Sequence, residues 1–246
     1  MKAKLNLYPA DLHIHTILSP CAGREMRPEN IWQQAKVKGI KILGITDHNS
    51  TANLPAFLHS APPEIWVIPG MEVQTKEEIH MVCLFPGLEQ AMEWGRVVRQ
   101  HLPPLQNRPD YFGPQQILSL TGEIVGEETV LLLNSISLSL EETIDAVRRL
   151  EGVIYPAHID RPSYSIISQL GFLPPKLELK LLEVSGRADL KQLSAKFAGY
   201  TLIRASDAHF LSEVGAHSSC LRLAAPRWEE LLYAFNHLGH RLLMTN

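Results

Sequence analysis

Six of the eleven histidines fall next to short apolar runs in a pattern that suits metal chemistry. They are His13 and His15 in DLHIHT, His48 in ITDHN, His80 in EIHMV, His158 in PAHID and His209 in ASDAH, with Glu72 (PGMEV), Asp47 and Asp207 beside them. Along a strand, residues i and i+2 project to the same side, so His13 and His15 can grip one cation together. A lone buried histidine reads as a satisfied core residue, but six at strand ends with carboxylates do not. Neutral imidazoles and carboxylates suit zinc, manganese or iron without choosing among them. The ligands outnumber what one tetrahedral ion uses, which predicts a cluster of two or three divalent metal ions. Such a cluster can acidify a bridging water and clamp the attacking and leaving oxygens of a phosphate ester.

Taken in order, DLHIHT, ITDHN, GMEV, the strand-end His158 and SDAH resemble the PHP (polymerase and histidinol phosphatase) family of metal-dependent phosphoesterases. The resemblance implies a distorted seven-stranded (β/α) barrel with a trinuclear site at the C-terminal ends of its strands. Carried over, it implies that His13, His15, Glu72 and Asp207 hold a first metal. Glu72 would bridge to a second, held by His80 and His158, and His48 with His209 would hold a third. The chain departs from the family pattern after DLHIHT. Ser19-Pro20-Cys21 stands where many members carry an acidic residue or a histidine, so Cys21 is expected to complete the third site as a thiolate, the other reading being a small packed thiol. Asp207, Glu72 and His209 are the expected catalytic groups. Asp47, adjacent to a ligand but on the other side of the strand, is expected to orient an imidazole through its second ring nitrogen. Arg161, three residues past His158, is the first candidate for gripping a substrate phosphate, with Arg24 and Arg187 as further candidates.

These side chains require strands that end at one level. Val-, Ile- and Leu-rich runs predict strands at 10–14, 42–46, 66–69, 79–85, 130–133, 153–157, 181–184, 201–205 and 219–223. Helical patterns fall at 28–38, 88–100, 140–150, 189–197 and 228–238, with Gly39 placed to cap the first. Continuous apolarity argues for strands buried on both faces of a parallel sheet. Alternation of strand and helix over 246 residues therefore predicts a single α/β domain with a TIM-barrel-like (β/α)7 architecture. The proline- and glycine-bearing stretch 103–128 breaks the alternation and reads as a loop insertion that could cover the barrel mouth.

Composition narrows the chemistry further. Lysine plus arginine number 23 and aspartate plus glutamate 26, for a formal charge of −3, with no run of one sign. That argues against a dedicated electrostatic nucleic-acid binder, although short nucleic acid stays open. The three cysteines are dispersed and odd in number, which predicts a reducing, cytoplasmic setting; no apolar stretch is long enough to span a membrane. The leading expectation is hydrolysis of a phosphomonoester, either a small phosphorylated metabolite or a nucleotide, through a metal-bridged hydroxide. A nuclease acting on oligonucleotide ends, an amidohydrolase-type enzyme and a non-catalytic metal-binding module are the alternatives. The amidohydrolase reading is weakened because Glu72 stands where a bridging lysine would be needed. The oligomeric state is not readable from the chain.

Overall fold

The computed structural model describes residues 4–245. Its strands are β1 (Asn6–Ile14), β2 (Ile42–Ile45), β3 (Trp66–Gln74), β4 (His80–Leu84), β5 (Gln116–Leu118), β6 (Ile124–Glu127), β7 (Val153–Pro156), β8 (Leu181–Val184), β9 (Thr201–Arg204), β10 (Ser219–Leu223) and β11 (Leu242–Thr245). The helices are α1 (Pro28–Val37), α2 (Leu54–Ser60), α3 (Leu88–His101), α4 (Pro109–Phe112), α5 (Leu140–Arg149), α6 (Ile166–Leu170), α7 (Leu190–Lys196) and α8 (Trp228–Phe235). The predicted helices all form within a few residues of their expected ends. Gly39, at φ +70, follows α1 where a left-handed residue ends a helix without steric cost. Helix α5 opens on a reciprocal Ser139–Glu142 capping box, which satisfies two otherwise orphaned donors.

The architecture is a mixed α/β domain around a curled seven-stranded sheet, in the order β11-β10-β1-β2-β3-β4-β7. Strands β1, β2 and β3 run parallel, whereas β4 is antiparallel to both β3 and β7, and β10 to both β1 and β11. This corrects the expectation of an all-parallel sheet. Continuous apolarity reports burial on both faces, and a curled mixed sheet buries both as well as a parallel one does. A parallel β8-β9 pair forms a separate ribbon beside β7 and β11. One apolar cluster draws Leu12, Ile42, Ile68, Val82, Tyr155, Leu181, Ile203 and Leu221 from eight different strands, and Leu231 and Phe235 of α8 pack against it. A second cluster lies between the sheet and its other helices.

Two expectations fail locally. Residues 130–133 form no strand, because side-chain amides take their backbone groups: Gln115 donates to Val130 O at 2.7 Å and accepts from Leu132 N–H at 2.8 Å. The segment 103–128 does not cover the mouth. It folds into α4 and the β5-β6 hairpin and braces the loop after β1, with Gln116 N–H donating to Ile17 O at 3.0 Å. Gly113, at φ +101, allows this approach, since a Cβ there would lie 2.0 Å from Pro20 O.

At the opposite end of the domain from the histidines, Glu230 of α8 is buried and accepts from Arg241 Nε (2.9 Å), Arg241 Nη2 (2.8 Å) and Ala224 N–H (2.8 Å). The Arg241 hydrogen bonds hold its carboxyl down at about 2. A folded-state value below the unfolded one stabilises the protein above the unfolded carboxyl range, near 4.5, and that gain is lost as pH falls toward 2. Glu230→Gln should therefore cost about 2 kcal/mol in urea titrations at pH 7. The difference from the parent should narrow steadily below pH 4.5; a gap independent of pH would refute the assignment.

Candidate metal centre

Glu72 is fully enclosed near the end of β3, and imidazole nitrogens surround it. His48 Nδ1 and His80 Nδ1 each lie 3.0 Å from its oxygens, His158 Nε2 3.3 Å, and His13 Nε2 and His15 Nε2 3.4 Å. Strand pairing creates this arrangement. The parallel register of β2 and β3 continues past the β2 terminus as a His48–Glu72 bridge, and the antiparallel β3-β4 register sets His80 opposite Gln74, diagonal to Glu72. The end of β1 pairs with the segment after β9: His15 N–H donates to Ala208 O at 2.9 Å, which brings Asp207 and His209 beside the H-x-H pair.

Three groups of ligand atoms converge within 4.8 Å of one another: His13, His15, Glu72 and Asp207; His48, Glu72 and His80; and His15, His48 and His209. The first is the set the resemblance assigned to one metal. His13 Nε2 and His15 Nε2 are 3.2 Å apart, and each lies 3.1–3.2 Å from Asp207 Oδ1. Tetrahedral ligands at about 2.0–2.1 Å from a cation would themselves be about 3.3 Å apart, so these residues fit a divalent ion. His158 touches Glu72 but, among the described residues, belongs to no group of three and finds no partner for its buried Nδ1. Cys21 departs from expectation: among the described residues its sulfur joins none of the convergent groups. It stands on the rim, because the turn at residues 16–22 directs Ser19 inward instead, through a hydrogen bond to His15. Crowding and the nearby charges of Glu72 and Asp207 push its thiol up to about 12.

The centre favours positive charge. Burial alone would lower the His15 value, but its hydrogen bonds to Asp207 and Glu72 raise it to about 9, and Glu183, Asp207 and Glu72 together outweigh burial to raise His13 as well. Glu72 and Asp207 lie well below the usual carboxylate range, the surrounding imidazoles outweighing the cost of burial. Burial and the neighbouring His15 push His48 down to about 4 and His209 to about 3, so both rings are neutral and have a lone pair to offer at pH 7.

Behind the converging side chains stands a layer that the sequence only partly disclosed. Glu183 of β8 holds His13 Nδ1 with both oxygens, at 2.9 and 3.1 Å, leaving Nε2 facing the centre. Asp47 does not touch an imidazole. It accepts from Thr16 N–H and from the hydroxyls of Thr16 and Ser19, all at 2.7 Å, and Ser19 in turn accepts from His15 Nδ1 at 2.9 Å. Asp47 thus orients His15 through Ser19. Gln74 Oε1 accepts from His80 Nε2 at 3.2 Å. Asp11 grips Ser206 N–H, Ser206 Oγ and Gly215 N–H at 2.6–3.0 Å, fixing the segment that carries Asp207 and His209.

Two cavities meet at the centre. The inner one, about 120 Å³, is lined by His48, Glu72, His80, His158, Arg161, Ser163, Tyr164, Asp207 and His209. The outer chamber, about 820 Å³, shares Arg161, Asp207 and His209 with it and adds Cys21, Arg187, Phe210 and His217 among its walls. Arg161 Nη1 lies 2.6 Å from Asp207 Oδ2. Arg24 is exposed and lines neither cavity, and no residue of 103–128 does so.

The sequence model of the PHP domain matches residues 11–158, more than half of the chain. The chain belongs to the PHP domain family. An uncharacterized protein of Methanocaldococcus jannaschii is 24% identical over 164 residues, which cover 66% of this chain and 18% of that one. A probable phosphatase of Enterobacter sp. (strain 638) is 39% identical over 61 residues, 24% of each protein. The chain thus matches less than a quarter of the length of these two relatives. A lesion-specific endonuclease of Pyrococcus furiosus superposes with a TM-score of 0.74 at 20% identity, over 97% of this chain and 58% of that one, and so shares its fold. No helix among the described residues is long and apolar enough to cross a membrane.

If Glu183 sets the His13 tautomer, Glu183→Gln should weaken binding of one metal equivalent about 10- to 100-fold in competition with a chromophoric chelator, with the circular dichroism spectrum preserved. Unchanged affinity would reduce Glu183 to a packing residue.

Proposed function

We propose that this chain hydrolyses phosphomonoesters, those of small phosphorylated metabolites or nucleotides, with two or three divalent ions held by His13, His15, His48, Glu72, His80, His158, Asp207 and His209. The observation that carries this reading is the placement of Arg161. Its guanidinium stands on the wall shared by the inner cavity and the open chamber, beside the convergent ligands. Bound there, zinc, manganese or iron would polarise a phosphoryl oxygen and make a water acidic at neutral pH. The protein's own part is positional. Glu72 spans the ligand groups, and Arg161 offers two parallel donors to phosphate oxygens, a geometry that a carboxylate or phosphate matches and an amide does not. Asp207 Oδ2 positions the Arg161 guanidinium at 2.6 Å, and His209 is oriented by donating Nδ1–H to Asp207 O at 2.9 Å. Arg187 in the outer chamber supplies a further cation for the substrate. We place the domain's ligand-bearing strand ends on one face of a barrel-like ring, with 103–128 as an insertion beside it.

A second reading has an observation behind it. The outer chamber is uncovered and combines Arg161 and Arg187 with Phe210, whose ring is half exposed, a combination that suits the end of an oligonucleotide. The endonuclease with the same fold is consistent with it.

Stripping the metal with a chelator should abolish hydrolysis of p-nitrophenyl phosphate, and reconstitution with manganese, zinc or iron should restore it together with two or three ions per chain, the number suggested by the convergent groups. Glu72→Gln should lower turnover at least about 100-fold. Metal-loaded protein that is inert toward a panel of phosphomonoesters, diesters and short oligonucleotides would remove the reading; activity confined to oligonucleotides would install the second in its place.

A further inference from the structure

The lip at residues 160–165, between β7 and α6, carries a backbone outlier at the wall of the inner cavity. Tyr164 has φ +56. For a bulky side chain a left-handed backbone is a genuine outlier, and such residues persist where the surroundings over-determine them, often at functional sites. Here the surroundings are explicit. Tyr164 O accepts from His80 N–H at 2.8 Å, Ser165 Oγ donates to Arg161 O at 2.8 Å and caps α6 through Ser168 N–H, and Asp160 accepts from Ser185 N–H and Oγ at 2.8 and 2.6 Å. Pinned in this way, the Tyr164 ring lies parallel to the His80 imidazole, with centroids 4.9 Å apart and planes 16° apart.

We infer that Tyr164 restricts this site to phosphates bearing a single ester substituent. The inference rests on the phosphoester reading above and deepens it by assigning the selection to one residue. The inner cavity, about 120 Å³, is smaller than the roughly 300 Å³ of pockets that enclose drug-sized ligands, whereas the outer chamber at about 820 Å³ falls within that class. The two communicate across Arg161, Asp207 and His209. A phosphate seated in the inner cavity can therefore extend one substituent into the chamber. A second substituent would leave on the side of His80, against which the Tyr164 ring is stacked. The lip cannot swing outward without giving up the hydrogen bonds that fix it, so the restriction is built in and needs no closing motion. Arg161, on the same lip, holds the phosphate toward the open side.

The test compares p-nitrophenyl phosphate with bis(p-nitrophenyl) phosphate in the metal-loaded wild type, Tyr164→Phe, Tyr164→Ala and Tyr164→Gly. The wild type and Tyr164→Phe should prefer the monoester, and both truncations should shift the diester-to-monoester ratio of kcat/KM by about tenfold or more toward the diester. Calorimetric titration with the inert analogues phenylphosphonate and its monomethyl ester gives a readout independent of turnover: wild type should bind only the former, Tyr164→Ala both. Tyr164→Gly, freed of the left-handed penalty, should melt no lower than Tyr164→Ala. A ratio and binding selectivity unmoved by either truncation, or a wild type that cleaves both esters equally, would overturn the role of Tyr164 while leaving a phosphoesterase. Inertness of every form toward both esters would remove the phosphoester reading and this inference with it.

Discussion

A carboxylate buried away from water is tolerated only where charge and hydrogen bonds replace its hydration. Glu72 meets that condition by lying within 3.4 Å of five imidazole nitrogens. Those rings come from the ends of β1, β2 and β7 and the start of β4, so four strand termini must reach one level around β3. A flat sheet would spread them apart. Curling brings them together, and the apolar cluster drawn from eight strands fills the curled interior below. The polar centre and the apolar plug are therefore two layers of one constraint.

The centre is held from behind as firmly as it converges in front. His13 is fixed by Glu183, His15 by Ser19 and Asp47, and His80 by Gln74, each through the ring nitrogen opposite the one that faces Glu72 or Asp207. A half-satisfied network of buried polar groups would cost more than an apolar core, so these partners turn an assembly of rings into a defined one. Asp11 extends the same logic across the chain. By gripping Ser206 and Gly215 it ties the segment bearing Asp207 and His209 to the strand bearing His13.

Legibility in the sequence followed the range of the interactions. The converging side chains were visible because each sits in a short motif at an apolar run, and because alternation along one strand pairs His13 with His15. Glu183 was invisible for the opposite reason: LLEV reads as an ordinary strand, and its partner His13 is 170 residues away. The Asp47 reading failed by one link, since alternation correctly turned the carboxylate away from His48 but could not reveal Ser19 between it and His15. Cys21 was placed by position in a motif, whereas the turn that follows β1 decides where its sulfur points. Strand direction was hidden too, because apolar runs record burial and a mixed curled sheet buries as much as a parallel one. The strand-like run 130–133 went astray because Gln115 and Asn49 supply side-chain partners that no local pattern announces.

Access to the centre depends on the same distinction between what a motif contains and what a loop does. The insertion expected to shield the mouth instead buttresses the loop after β1 from the side, and the two cavities at the centre are walled by other residues. Three of these carry left-handed backbones: His158 at φ 30, Tyr164 at φ 56 and Asp207 at φ 49. Strain of this kind costs stability, and it is kept only where neighbouring contacts hold it. Here a residue against Glu72, a lip residue and a carboxylate paired with Arg161 share it, above a β1–β2 pairing that itself shifts register between Asp11 and Ile14. Part of the chain's conformational cost is therefore carried beside the converging histidines, where the bond from His80 N–H to Tyr164 O, the grip of Asp11 on Ser206 and the Arg161–Asp207 pair hold the strained positions.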